Sequence, residues 1–399
     1  MKKSLIDKIF IFAKSNNSGY CINKIYLSDL YVDTPKKDSA LYICEENLKD
    51  LTNIDLGKFN LIILNEFLSL PKKYSNKKLV WLPVKTRIFN EGDVVEIYFN
   101  KIKTKINILY RFKSNDNVLI LTNACNNKCI MCPEPVLKPT TEGSNIKKIE
   151  RIIKLISKST KFLAISGGEP TITKDKFICV LSLCKKNLPN TEISVISNGR
   201  MFFYKSFVDE IESIGIKNLL LCIALHSYDP LIHDKITQIP ESHNQTLVGL
   251  KNLLNSSINI ELRIVLQQRN YKDLNLIADF IINNLKGIYR VAFLGMEMSG
   301  SARLNKNNIW IELNKIRPYL QQACIKLLNA GIKVNIFNIP FCKVDKSFYP
   351  LCAQSISDYK IRYLEKCDRC IKKNECGGIF ASTRDLIKNE DVNPINGKN

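Results

Sequence analysis

The sequence predicts an α/β chain: a partial (βα)6 TIM-like barrel over residues 113–330, preceded by an N-terminal α/β unit (1–112) and followed by a C-terminal cysteine-rich segment (331–399). Three observations lead there. Short β-branched apolar runs alternate six times with longer stretches of helical periodicity, the pattern of parallel strands joined by crossover helices. The residues just after each apolar run are polar, glycine-rich or cysteine-bearing. Eight of the 14 cysteines fall into two groups, one after the first apolar run and one near the end of the chain.

In chain order, the N-terminal stretch Ile9 to Ala13 is an uncharged run too short for a secretory signal. No apolar stretch reaches the roughly 20 residues that cross a bilayer. The expectation is a cytoplasmic protein with no membrane partner. Residues 61–64 and 80–84 read as strands, and 93–99 with 106–110 as a hairpin; residues 1–112 carry no legible chemistry. The six barrel strands are expected at 117–122, 161–166, 191–197, 217–225, 258–266 and 288–294. Helices are expected at 145–159, 173–187, 204–214, 243–255, 271–285 and 308–330.

Composition narrows the function classes. With 399 residues, 45% of them hydrophobic, the chain has ample core, which excludes a disordered or fibrous protein. Fifty-nine Lys and Arg against 38 Asp and Glu give a net charge of +21, a balance that suits anionic partners. The basic residues are spread along the chain without a dense block or stripe, so a nucleic-acid partner is not expected. In a reducing compartment clustered thiols mean metal binding or catalysis, not disulfides.

In βα barrels the active site forms at the C-terminal ends of the strands. After the first strand comes Cys125-Asn-Asn-Lys-Cys129-Ile-Met-Cys132, a C-x3-C-x2-C spacing with no nearby His or fourth Cys to close a zinc site. Three thiolates on an iron–sulfur cubane leave one iron open for a chelating cofactor. After the second strand comes Ser166-Gly167-Gly168-Glu169-Pro170, after the third Ser197-Asn198-Gly199, and after the fourth His226-Ser227. Arg263 and Gln267 bracket the end of the fifth, and Gly295-Met-Glu297-Met-Ser-Gly300 follows the sixth. Paired glycines allow a backbone to approach a ligand and offer it N–H and C=O groups. Glu169 suits an ammonium, Ser197 and Asn198 suit ribose hydroxyls, and Arg263 suits a carboxylate. Glu297 and His226 are candidates to orient substrate or move a proton, whereas His233 and His243 have no identifiable partner.

These motifs resemble those of the radical S-adenosylmethionine (SAM) superfamily: the three-cysteine loop at Cys125, Cys129 and Cys132, and the glycine-rich motif Gly167-Gly168-Glu169-Pro170. The resemblance implies a [4Fe–4S] cluster on the three thiolates, SAM chelating the fourth iron, and reductive cleavage of SAM to a 5′-deoxyadenosyl radical that abstracts hydrogen from an unactivated carbon. It implies cofactor contacts at Ser197, Asn198, His226, Ser227 and Gly295, and adenine contact at Met131, where that superfamily more often carries an aromatic residue. The stretches 226–237, 293–297 and 355–360 are similar to those of His-Xaa-Ser system radical SAM maturases (HxsC-type). That likeness implies a ribosomally made precursor peptide as substrate, a second radical SAM maturase as partner, and an electron donor such as flavodoxin or ferredoxin.

The terminal cysteines, Cys342, Cys352, Cys367, Cys370 and Cys376, are enough for a closed four-thiolate site, either zinc or a second, auxiliary [4Fe–4S] cluster. Similar tails follow the barrel in many peptide-modifying radical SAM enzymes, and the auxiliary cluster is the favoured reading, with Cys342, Cys367, Cys370 and Cys376 as ligands. Cys352 is the spare. The other readings that the sequence supports are a radical SAM enzyme acting on RNA or a small metabolite, and a non-catalytic zinc-stapled basic binding module.

Overall fold

The computed structural model describes residues 11–15, 19–27, 39–43, 61–65, 78–82, 88–99, 104–134, 146–354 and 360–396. The chain divides into two compact units, one comprising 1–119, 145–163 and 186–191, the other 120–144, 164–185 and 192–399.

The first unit is a closed seven-stranded barrel. Its strands are β1 (Ile11–Ser15), β2 (Gly19–Leu27), β3 (Ser39–Ile43), β4 (Leu61–Asn65), β5 (Lys78–Leu82), β6 (Val94–Phe99) and β7 (Thr104–Tyr110). Strands β2 to β5 are parallel neighbours, and β6 and β7 form the expected antiparallel pair. β1 closes the ring, antiparallel to both β5 and β7, so no strand edge is left open. Period-2 alternation places Val95, Ile97 and Phe99 inward with Ile25, Ile63, Val80 and Ile106, all buried. The connections between the parallel strands, where crossover helices of an α/β unit would run, lie outside the described residues. Helix α1 (Ile146–Leu155) belongs to this unit, and its Lys148 pairs with the buried Glu96 of β6.

The second unit is built on an eight-stranded sheet whose spatial order is its chain order. It contains β8 (Val118–Thr122), β9 (Phe162–Gly167), β10 (Glu192–Ser197), β11 (Leu219–Ala224), β12 (Asn259–Val265), β13 (Arg290–Leu294), β14 (Lys333–Phe337) and β15 (Cys352–Ala353). All six expected strands are present, within two residues at each end. The sheet runs two strands further than the sequence suggests: β14 and β15 come from the segment read as a cysteine-rich extension. Both are short, and β15 has only two residues, too few for a periodic signal.

The helices are α2 (Asp175–Asn187), α3 (Lys205–Ile214), α4 (Pro230–Thr237), α5 (Ser242–Leu254), α6 (Leu274–Asn284), α7 (Gly300–Leu304), α8 (Lys306–Ile309) and α9 (Leu313–Asn329). Helix α4 starts where Asp229 caps the Leu231 N–H ahead of Pro230, and residues 308–330 break into the end of α8 and α9. A small antiparallel pair, β16 (Ile361–Arg362) with β17 (Ile379–Phe380), lies in the tail.

One face of the sheet is uniformly apolar: Ile260, Leu262 and Ile264 of β12 and Val291 and Phe293 of β13 are buried. The other face carries polar chemistry in cross-strand rows. Cys222, Glu261, Arg290 and Lys333 are register partners across β11 to β14, and Ala224, Arg263, Ala292 and Asn335 form the next row. Glu261 has no solvent exposure; it accepts from Arg263 Nε at 2.7 Å and from Arg290 Nη2 at 2.5 Å. Glu261→Ala would strand two guanidinium groups inside the unit, so we expect a loss of about 3–5 kcal/mol in thermal or denaturant unfolding; an unchanged midpoint would mean that solvent already carries those charges.

Candidate active site

The cysteine loop runs from Asn123 to Pro133 off the end of β8, and its backbone is held from several sides. Gly168 and Glu169 N–H donate to the carbonyls of Thr122 and Ala124, both at 2.8 Å. At the end of α4, Thr237 and Ile236 carbonyls accept from Lys128 N–H at 2.9 Å and Ile130 N–H at 3.0 Å. Beyond β13, Ala302 N–H donates to Cys132 O, Ser299 Oγ to Pro133 O and Asn305 Nδ2 to Ile130 O. Cys125 is exposed and Cys129 and Cys132 are half-buried. Asn127 N–H points at Cys125 Sγ, 3.3 Å away, the contact that favours a thiolate. Burial, then the neighbouring Cys125 and Cys132, pushes the Cys129 thiol up to about 12, so a metal loading here displaces protons.

The two glycines serve this anchoring. Gly167 has φ +147°, and a Cβ there would lie 2.1 Å from Thr122 O; at Gly168 it would lie 2.3 Å from Ala124 O. Of the backbone groups that the paired glycines were expected to offer a ligand, the Gly168 N–H is spent on the loop. Glu169 is anchored as well. Its carboxylate is 1% exposed and accepts from Thr171 N and Oγ1, from Ser197 Oγ at 2.9 Å and from Asn198 N at 2.6 Å. It joins two strand ends and caps the turn begun by the buried Pro170, with three of these bonds on Oε1 and one on Oε2. Ser197 is buried, its hydroxyl donating to Glu169 and accepting from Gly199 N–H, and the Asn198 amide donates to Asn126 Oδ1 at 2.6 Å.

Beyond β11 the structure corrects the reading of the histidines. His226, His233 and His243, the only three in the chain, form one buried row, with ring centroids 5.6 and 5.4 Å apart. His226 N–H donates to His233 Nδ1, whereas His226 Nδ1 has no partner and is shut away from solvent. Ser227 is fully buried, its hydroxyl accepting from Asp229 N–H. The Gln267 amide, with no exposure, is likewise unpartnered at both atoms. Arg263 spends its Nε on Glu261 and keeps 24% of its side chain open. Gly295 is the close contact of β13 with the chain after β14, where a Cβ would meet Asn338 O at 2.3 Å. Met131 packs in an apolar cluster with Ile130, Ile236, Met296 and Met298. Glu297 faces Lys360 at 3.4 Å. The rest of the 355–360 stretch lies outside the described residues.

In the tail, Cys342, Cys367, Cys370 and Cys376 line one cavity with Phe341 and Ile379. Backbone N–H groups aim at these sulfurs: Phe341 and Gly378 at Cys376, at 3.5 and 3.4 Å, and Ile395 at Cys370, at 3.4 Å. Cys352 is absent from that lining, and its thiol points at Phe348 O, 3.6 Å away. Among the described residues no three His, Cys, Asp or Glu side chains converge as a single metal ion requires. Backbone N–H groups aimed at Cys125, Cys370 and Cys376 are contacts that a metal-bound thiolate accepts.

Residues 119–281 match the Radical SAM superfamily model. This is a radical SAM domain. The chain is 26% identical over 208 residues to a GTP 3′,8-cyclase of Petrotoga mobilis, across 50% of this chain and 61% of that one. Among solved structures it is similar to Streptococcus suis SuiB bound to the precursor peptide SuiA (17% identity, TM-score 0.45, 60% of this chain and 52% of that one). It is also similar to anSMEcpe with bound AdoMet and a peptide (16%, 0.45, 55% and 62%). The chain thus spans only half to three-fifths of these relatives. Within the radical SAM domain, the residue that sequence reasoning missed is Arg200, which reaches the cysteine loop; its one signal was its place after Ser197-Asn198-Gly199. No helix among the described residues is long and apolar enough to cross a membrane.

Burial holds His226 down at about 4, so its neutral form is built into the fold. Unfolded, the same ring titrates near 6.5, so the unfolded state takes up the proton first and the stability that is full above pH 6.5 drains as pH falls toward 4. We expect about 2 kcal/mol lost between pH 7.5 and 5 in urea unfolding, and a smaller loss in His226→Gln; equal slopes for the two proteins would refute the assignment.

Proposed function

We propose that the chain is a radical SAM enzyme that modifies a ribosomally made peptide. The observation that carries the first part is the three-thiol loop, fixed at strand ends by backbone bonds from three separate segments, with a superfamily match over the same residues. Cys125, Cys129 and Cys132 would hold a [4Fe–4S] cluster, which with SAM on its open iron supplies one-electron cleavage to a 5′-deoxyadenosyl radical.

The chain's own residues do the rest. The Asn127 N–H favours the thiolate of Cys125, and the apolar cluster of Ile130, Met131, Met296 and Met298 keeps water from the underside of the loop. Arg263, already half neutralised by Glu261, keeps donors on the polar sheet face for a carboxylate. Cys342, Cys367, Cys370 and Cys376 would hold the auxiliary cluster. Glu297, paired with Lys360, is placed to orient substrate.

The peptide substrate is supported by the likeness of residues 226–237 and 293–297 to His-Xaa-Ser maturases and by the four-thiol tail. A second radical SAM maturase and a flavodoxin or ferredoxin are the partners that this reading calls for. A nucleotide or other small metabolite is the second reading, favoured by the 208-residue similarity to a GTP 3′,8-cyclase.

Anaerobic iron and sulfide analysis with dithionite-dependent formation of 5′-deoxyadenosine tests the core. We expect about eight irons per chain, falling to about four with loss of deoxyadenosine when Cys125, Cys129 and Cys132 are all Ala. About four irons together with zinc would make the tail structural, and zinc alone without SAM cleavage would overturn the enzyme reading. Deoxyadenosine formation stimulated by a His-Xaa-Ser precursor peptide, with a peptide mass change, supports the substrate; stimulation by GTP instead would replace it.

A further inference from the structure

The loop that carries the cysteines contains, between the first two, the segment Asn126-Asn127-Lys128, and one charged side chain from another strand end grips it. Arg200 opens the turn after β10. Its Nε donates to Gln245 Oε1 on α5 at 2.7 Å, and its Nη1 donates to the Asn126 carbonyl and to Asn127 Oδ1, the latter at 2.9 Å. The platform beneath it is rigid. Gly199 has φ +82°, where a Cβ would meet Ile223 at 2.6 Å, and Gly249 of α5 lies so close that its Cβ would sit 2.5 Å from Gly199 O. Thr246 Oγ1 donates to Asn198 O at 2.9 Å, and Arg200 N–H to Asn198 Oδ1 at 3.1 Å. A planar guanidinium can span a side-chain amide on one edge and a carbonyl on the other; a lysine ammonium cannot hold both in fixed geometry.

We propose that Arg200 is a positioning residue for the cysteine loop: it fixes the arc from Cys125 to Cys129 in one conformation and sets a permanent positive charge against the Asn126-Asn127 segment of that arc. This rests on the radical SAM reading above. The arc is otherwise pinned only at its ends, by Glu169 at Ala124 and by Thr237 at Lys128, with the Asn198 amide on the Asn126 side chain. Arg200 brings a fixed cation onto this arc, opposite in sign to the Glu169 carboxylate that anchors the neighbouring strand ends, and a cation near an iron–sulfur cluster raises its reduction potential.

The test uses the full chain, reconstituted anaerobically with iron and sulfide, as wild type, Arg200→Gln, Arg200→Lys and Gln245→Ala. Three quantities are read: the rate of iron loss to a chelator, the midpoint potential of the EPR signal that responds to SAM, and amide hydrogen exchange over residues 126–130 in the apoprotein. We expect Arg200→Gln to lose iron about tenfold faster, to shift the midpoint negative and to exchange faster over 126–130 at an unchanged melting temperature. Arg200→Lys should recover the midpoint but not the retention, and Gln245→Ala should show faster exchange with the charge kept. Wild-type retention, midpoint and exchange in Arg200→Gln would overturn the proposal, as would full rescue by Arg200→Lys. If the Arg200 variants do not fold, Gln245→Ala decides on exchange alone. A wild type that takes up no iron would count against the radical SAM reading instead, and the exchange comparison still decides the role of Arg200.

Discussion

Everything in the site depends on a short stretch of backbone pairing between two loops. Thr122 and Ala124, leaving β8, accept hydrogen bonds from Gly168 and Glu169, leaving β9, and the two chains approach so closely that side chains are forbidden at both glycines. That contact fixes where the cysteine loop departs, and the Glu169 carboxylate carries the same order on to Ser197 and Asn198 at the end of β10. Asn198 then returns to Asn126, so three successive strand ends close into a ring of polar contacts around the loop. A loop that must keep three thiols in place cannot rely on its own short sequence; it borrows rigidity from the sheet through its main chain.

The order of the barrel was legible because period and punctuation agree. Apolar β-branched runs of six to nine residues stand between longer helical patterns, and all six strands recur in the structure within two residues at each end. What escaped was short. Strands β14 and β15 have five and two residues, and α4 has eight, lengths at which period 2 and period 3.6 cannot be told apart.

Side-chain roles were less legible than side-chain places. The polar residues at strand ends were found, yet several proved to satisfy each other. Glu169 reads as a free carboxylate in the sequence because nothing local says that Ser197 and Asn198, 28 and 29 positions later, will point at it. His233 and His243 looked solitary because their ring neighbours sit on different elements: His226 after β11 for His233, and His233 on α4 for His243 on α5. Met131 reads only as a neighbour of a cysteine, and the Met296 and Met298 that pack on it come from beyond β13. Spacing along the chain identifies which chemistry a loop can supply; the partners that consume or free it are set by the sheet register.

The histidine row has one more consequence. Imidazole is the side chain that normally changes charge across the neutral range, and here every imidazole in the chain is sealed inside the fold and neutral. The chain's net charge of +21 is therefore carried without any contribution from imidazole. The attraction of that charge for an anionic partner is tuned by ionic strength and does not depend on a surface imidazole gaining or losing a proton.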